Sequence, residues 1–326
     1  MAPRNEEPFQ LYLSIYLLTI ITGFPTNLLA LWALIKKLKT NATPNCVLLL
    51  NLTLSDLCFL AFLLFKVAEA SAGGFWPFPY ILCPLSGLFY FSTIYSSTLF
   101  LTAVSVERYL GVAYPIHYRL RRHSTYAAVA SLGLWACSFA HCSIVFITEF
   151  HQANSSMESG GIVCYNNFTA GQLALLLPAR LELGIVLFLV PSLITSFCYC
   201  GFMKIVISSS HICSAKKQRA VGLVATTLAV FIICFSPYNV SHFVGFIQGN
   251  SPIWRDKALI LSTFNASLDP IIFYFSSSAV QHSCRGFLIQ VKRVCTLPPL
   301  VKKLFCKETE ILKRPSTQEP VCCSKL

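Results

Sequence analysis

The chain has 326 residues, of which 55% are hydrophobic and only 12% charged, with a formal net charge of +12. That balance excludes a soluble chain of this size, because so few polar residues could not cover the two or so cores expected from the length. The mean hydropathy of +0.63 comes from long apolar runs between short polar loops, and the excess positive charge suits an acidic lipid surface rather than nucleic acid.

Seven runs, each near the roughly 20 residues a helix needs to cross about 30 Å of hydrocarbon, predict seven membrane helices. They cover residues 11–34, 45–68, 80–112, 126–147, 180–208, 220–247 and 255–275. The first run invites comparison with a secretory signal, but it is longer than a signal core, its positive charges follow it, and no small-residue cleavage site closes it. It reads as a true span. Lys36, Lys37, Lys39, Arg119, Arg121, Arg122, Lys204, Lys216, Lys217 and Arg219 all fall in alternate loops, which predicts an extracellular amino terminus by the positive-inside rule. The expected organisation is an all-α protein of the plasma membrane with an extracellular segment 1–10, a seven-helix bundle 11–275 and a cytoplasmic tail 276–326. The third inner loop, about 208–219, is too short to fold as a domain. Residues 276–291 read as an amphipathic helix lying on the membrane, and Cys295, Cys306, Cys322 and Cys323 are palmitoylation candidates or free thiols.

Most of the 15 cysteines lie inside apolar runs, where a free thiol behaves as a small hydrophobe. Cys83 at the outer start of the third span and Cys164 in the long outer loop are placed otherwise, on the oxidising side, and are expected to form a disulfide. Asn154 and Asn167 in that loop carry the glycosylation pattern; Asn51, Asn239 and Asn265 carry it within spans and are expected to stay unmodified.

Ionisable residues inside a span are costly and mark function by default. Asp56 is the clearest, and Glu107, Arg108 and Tyr109 form a charged run at the inner end of the third span. Pro191, Pro237 and Pro270 each remove a backbone hydrogen bond from a later span. Kinked helices around buried polar groups suit a switch or a transport path.

The ordered set Asn27, Asp56, Cys83, Glu107-Arg108-Tyr109, Trp135, Pro191, Tyr199, Pro237 and Asp269-Pro270 resembles the markers of rhodopsin-like G-protein-coupled receptors. Within them, the runs at 105–113, 177–183, 237–242 and 265–270 are similar to the free fatty acid receptor family, on the pattern of its receptor 2, the short-chain type. The likeness covers about residues 11–285. Phe235 replaces the commoner tryptophan before Pro237, and Phe273 the commoner tyrosine after Asp269-Pro270; both fit this branch. Phe91 and Asn166 stand where receptor 2 has tyrosine and glutamate.

Arg180 at the outer start of the fifth span, Arg255 at that of the seventh, and His242 in the outer sixth place three donors near the bundle mouth. A guanidinium offers two parallel donors to a carboxylate, so arginines without compensating acids make an anion trap. The plain alternative is that both arginines only snorkel to the interface. Glu182 lies about 200° around the helix from Arg180, and Asp256 diverges from Arg255 by about 100°, so neither is well placed to neutralise its neighbour. Tyr238, four residues before His242, shares its helix face. The resemblance implies that these residues bind a fatty-acid carboxylate and that His141 belongs to the same network, although a satisfied core histidine is an equal reading of that residue alone. Phe91, Tyr95 and Tyr238 are expected to limit tail length.

The resemblance further implies that Arg108, released from Glu107, meets a G protein with Tyr109 and Tyr199, and that Asp56, Ser97 and Asn265 hold sodium. It implies activation by acetate, propionate or butyrate, with heterotrimeric G proteins of the Gi/o and Gq/11 classes, arrestin and membrane lipids as partners. Medium or long-chain acids are the alternative ligands. A secondary transporter of small anions is the rival from another class, but no inverted repeat is visible. With no metal-ligand spacing, phosphate loop or nucleophile and base arrangement, the sequence points neither to an enzyme nor to a cofactor.

Overall fold

The computed structural model describes residues 7–121, 123–150, 157–158, 161–165 and 168–276. Arg122, Asn154, Asn166, Asn167, the expected surface helix and the four tail cysteines lie outside the described residues.

The elements in order are α1 (Glu7–Thr40), α2 (Pro44–Ser71), α3 (Leu82–Ala113), a short α4 (Pro115–Arg121), α5 (Ser124–Phe150), and a hairpin of β1 (Met157–Glu158) and β2 (Gly161–Ile162). Then come α6 (Ala170–Leu183), a π-helical turn (Gly184–Leu189), α7 (Val190–Ser208), α8 (Ser214–Gln248), α9 (Arg255–Thr263) and α10 (Asn265–Ser276). The two short strands pair antiparallel with Met157 opposite Ile162. Among the described residues, six stretches are long and apolar enough to cross a membrane: Phe9–Thr40, Pro44–Ser71, Leu82–Ala113, Ser124–Glu149, Ala170–Ser208 and Ser214–Gln248. The seventh is divided between α9 and α10 at Phe264.

Several helices run past the apolar runs expected from hydropathy. The first extends to Thr40 with Lys37 and Lys39 in its last turn, since long basic side chains reach the interface while their stems stay in the helix. The fifth starts at Ala170, ten residues before the expected Arg180. Thr169 and Gln172 explain this, because they form a capping box in which the Gln172 N–H donates to Thr169 Oγ1 at 3.2 Å and the Thr169 N–H to Gln172 Oε1 at 2.9 Å. Such a box satisfies the open donors of a helix start. Arg180 thus sits about 15 Å along its helix rather than at its mouth.

α3 is the centre of the bundle, packing against α2, α5 and α7 and burying Tyr90, Tyr95 and Phe100. Opposite these, α7 and α8 bury Tyr199, Phe231 and Phe235. Lipid supplies no hydrophobic force between helices, so polar ties set register. Trp135 Nε1 of α5 donates to Asn51 Oδ1 of α2 at 3.2 Å. Asn27 Nδ2 of α1 donates to the Ala266 carbonyl of α10 at 2.7 Å. Ala266 is four residues before Pro270, whose missing N–H leaves that carbonyl without its intrahelical partner. Cys83 and Cys164 form a disulfide joining the start of α3 to the loop before α6, and this marks one end of the bundle; Glu107, Arg108 and Tyr109 mark the other.

Candidate functional site

At the disulfide end, α6, α8 and α9 bring two arginines into one region although both are buried, Arg180 to 3% and Arg255 to 7% of full exposure. α8 ends at Gly249 in the left-handed conformation with φ 68°, and Gly245 allows the returning chain close, since a Cβ there would lie 3.0 Å from the Asn250 carbonyl oxygen. That turn presents Ser251, whose Oγ accepts from Arg180 Nη1 at 2.7 Å. Among the described residues, Arg180 Nε and Nη2 have no hydrogen-bond partner, and the guanidinium carbon lies 5.2 Å from the Phe168 ring centre and 5.8 Å from that of Tyr165.

Arg255 donates from Nη2 to the Tyr238 hydroxyl at 3.0 Å, while its Nε has no partner. Its Nη1 also reaches Asp256 Oδ1 at 3.4 Å. The adjacent acid therefore does contact the arginine, contrary to the angular argument from helix positions, because both residues lie in the first turn of α9, where Asp256 is exposed to solvent. His242, four residues after Tyr238, packs edge-on against its ring at 4.6 Å. Its Nε2 is 3.1 Å from the Tyr95 hydroxyl, and its Nδ1 has no partner. The Tyr95 hydroxyl also donates to Asn239 Oδ1 at 3.2 Å, and Phe91 stacks parallel to Tyr238 at 6.2 Å. The structure thus brings together Arg255, Tyr238, His242, Tyr95 and Phe91, with Arg180 tied to the Ser251 turn that precedes Arg255. His141 is placed differently: its Nδ1 lies 2.7 Å from Glu182 Oε1.

A cavity of about 470 Å³ opens beside this cluster. Its walls include Tyr12, Tyr16, Phe91, Tyr165, Phe168 and Arg255 but not Arg180, so the Tyr165 and Phe168 rings lie between the open space and the Arg180 guanidinium. Ser251, Tyr165 and Phe168 were not singled out from the sequence; they sit in connecting segments with no periodicity to mark them. The turn residues Gly249, Asn250 and Pro252 were the available signal for the one holding Ser251.

Deeper in the bundle, Ser97 Oγ of α3 donates to Asp56 Oδ1 of α2 at 3.1 Å and lies 3.1 Å from Ser55 Oγ. Asn265 pairs instead with Asp269, donating from Nδ2 to Oδ2 at 2.8 Å. Asp56 Oδ2 and Asn265 Oδ1 are both buried without a hydrogen-bond partner. Unpaired buried oxygens beside two carboxylates are the donor set that a hard cation such as sodium takes, so the residues fit one; it would supply counter-charge.

At the opposite end, Glu107 accepts from the Tyr118 hydroxyl of α4. Arg108 Nη1 and the Tyr199 hydroxyl are buried with no hydrogen-bond partner, and Tyr109 packs edge-on against Phe197 at 5.8 Å. A cavity of about 410 Å³ is lined there by Asn45, Glu107, Arg108, Tyr118, Lys216 and Arg219.

Residues 26–273 match the model of the 7 transmembrane receptor (rhodopsin family). The chain belongs to that family. Its members are receptors rather than enzymes, and this receptor is a multi-pass protein of the plasma membrane. Within the family, the chain is 47% identical over 285 residues to free fatty acid receptor 3 of Homo sapiens, covering 87% of this chain and 81% of that one. It has the same identity and coverages with G-protein coupled receptor 42 of Homo sapiens. It is 47% identical over 284 residues to free fatty acid receptor 2 of Rattus norvegicus, covering 86% of each. The receptor is therefore a member of the free fatty acid receptor family, with 47% identity to these representatives of types 2 and 3.

Proposed function

We propose that this receptor responds to short-chain fatty acids, acetate, propionate and butyrate among them, by holding the carboxylate between Arg180 and Arg255. The observation that carries the reading is a pair of buried guanidinium groups that keep three donors, Arg180 Nε and Nη2 and Arg255 Nε, without hydrogen-bond partners among the described residues. Buried charges are normally paired; Arg255 reaches only the exposed Asp256, at 3.4 Å, and the partner that would satisfy the remaining donors has the charge and lone pairs of a carboxylate. His242 Nδ1 and the Tyr238 hydroxyl complete the set of polar contacts, while Phe91 and Tyr95 close the tail side. The ligands named by the relatives, free fatty acids, have this head group.

Magnitude favours an abundant, weakly bound ligand. At about 1.5 kcal/mol per heavy atom, acetate gains at most about 6 kcal/mol, a Kd no tighter than tens of micromolar. Each buried methylene adds roughly 0.8 kcal/mol. In this reading the disulfide end is extracellular, and the opposite end, with Arg108, Tyr109 and Tyr199, engages heterotrimeric G proteins, Gi/o first and Gq/11 as a second route, and afterwards arrestin. The test is inhibition of cAMP formation and release of calcium in cells expressing the receptor, recorded against straight-chain carboxylates of increasing length. Maximal potency at three or four carbons supports the proposal. The 470 Å³ cavity beside Arg255 favours the second reading, a longer acid, and potency that keeps rising well beyond six carbons would establish it instead.

A further inference from the structure

His141 Nδ1 on α5 and Glu182 Oε1 on α6 lie 2.7 Å apart, linking two membrane helices, and their side chains remain 33% and 42% exposed. Glu182 is 12 residues beyond the start of α6, about 18 Å along the helix, so the pair lies at hydrocarbon depth. A carboxylate at that depth is costly without a partner.

We propose that His141 and Glu182 position Arg180: the pair sets the rotation of α6, and His141 serves the anion site through Glu182 rather than by touching the ligand. This rests on the carboxylate reading above. Arg180 and Glu182 are two residues apart and so about 200° apart around the helix, which means that holding Glu182 against α5 turns Arg180 toward the interior. The backbone does not do this by itself. α6 runs directly into the π-helical turn Gly184–Leu189, where hydrogen bonds span five residues instead of four and one residue of register, about 100° of rotation, can be taken up or released. Gly184 opens that turn against α8: a Cβ there would meet the Phe243 ring at 3.3 Å and the His242 Cβ at 3.7 Å. A change of register would therefore be felt at His242 as well. Arg180 donates from Nη1 to Ser251, and its Nε and Nη2 have no partner among the described residues, so the orientation of its helix decides where those donors point.

The test is a double-mutant cycle on the full receptor, reading propionate potency together with surface number and detergent melting temperature. His141→Ala and Glu182→Ala should each raise the half-maximal concentration by about tenfold, and the double variant by no more than either alone, since one interaction is removed three times. The exchanged pair, His141→Glu with Glu182→His, should return to within about threefold of wild type, which general loss of stability would not allow. His141→Asn and Glu182→Gln preserve volume and answer the same question if the alanine variants do not reach the surface. The proposal is overturned if His141→Ala abolishes the response while Glu182→Ala is wild type, if the two losses multiply, or if only melting temperature changes. A wild-type receptor silent to every carboxylate would remove the carboxylate reading and this one with it. An additive cycle in a responsive wild type removes this one alone.

Discussion

Arg180 and Arg255 differ from ordinary interfacial arginines in being almost wholly buried while keeping unpartnered donors. Removing one from a desolvated contact costs about 2 to 5 kcal/mol, most of what a ligand limited to about 6 kcal/mol has to give. Arg180→Ala and Arg255→Ala are each expected to abolish the response to propionate at normal surface number, measured by cAMP inhibition. Arg→Lys at either position should be nearly as severe, because an ammonium keeps the charge and loses the planar fork. His242→Ala should be milder, a rise of about tenfold in half-maximal concentration, as it removes one hydrogen bond. Asp56 behaves differently again, with one carboxylate oxygen held by Ser97 and the other open. Asp56→Asn is expected to abolish the sodium dependence of agonist affinity; the same sodium dependence in variant and wild-type membranes would exclude the cation site.

Among the elements, the divided seventh span shows how a proline is accommodated in lipid. Pro270 frees the Ala266 carbonyl, and Asn27 of α1 meets it at 2.7 Å, with its Nδ2 also donating to the Gly23 carbonyl at 2.9 Å. Asn27→Leu would leave a buried carbonyl unsatisfied, which costs about 1 to 3 kcal/mol. The expected result is a melting temperature in detergent several degrees below wild type, with ligand potency little changed because the tie lies away from the arginines. An unchanged melting temperature would show that water or a neighbouring hydroxyl takes over the carbonyl. The fifth span has a comparable irregularity in its π-helical turn, placed between Arg180 and the helix that carries Tyr199.

For the whole molecule, the disulfide closes a loop with a sequence separation of 81 between Cys83 and Cys164. Cross-links of such length stabilise by about 4 kcal/mol in the chain-entropy model. This one also holds Tyr165, in a left-handed conformation at φ 53°, directly beside the arginine site. Its ring packs 5.5 Å from Phe91 and 4.9 Å from Phe168. Cys83→Ser and Cys164→Ser are therefore expected to lower surface number sharply, and the fraction that does reach the surface should lose propionate potency, since the aromatic cover over Arg180 is released. Surface labelling combined with concentration-response curves separates the two effects. Normal potency in the surviving fraction would show that Tyr165 is held by packing alone.

Hydropathy along the chain was sufficient for the seven spans, because crossing hydrocarbon is a requirement on local composition that no distant contact can relax. The placement of Cys83 and Cys164, the buried Asp56 and the two arginines as candidates were legible for the same reason: each is a polar or reactive group in a setting that penalises it. The start of α6 is legible too, in the capping box of Thr169 and Gln172, whereas hydropathy alone places the start of that span later. What only the tertiary structure decided is which way each helix turns and what each polar group meets. His141 looks equally suited to a ligand or a core partner until α5 and α6 are placed side by side and Glu182 occupies it. Ser251 gains meaning only when Arg180 reaches it from 71 residues away, and Asn265 pairs with Asp269 rather than Asp56. Helix rotation is set by packing and polar ties between segments distant in sequence, so a pattern read along one chain can name the groups that need partners without choosing among them.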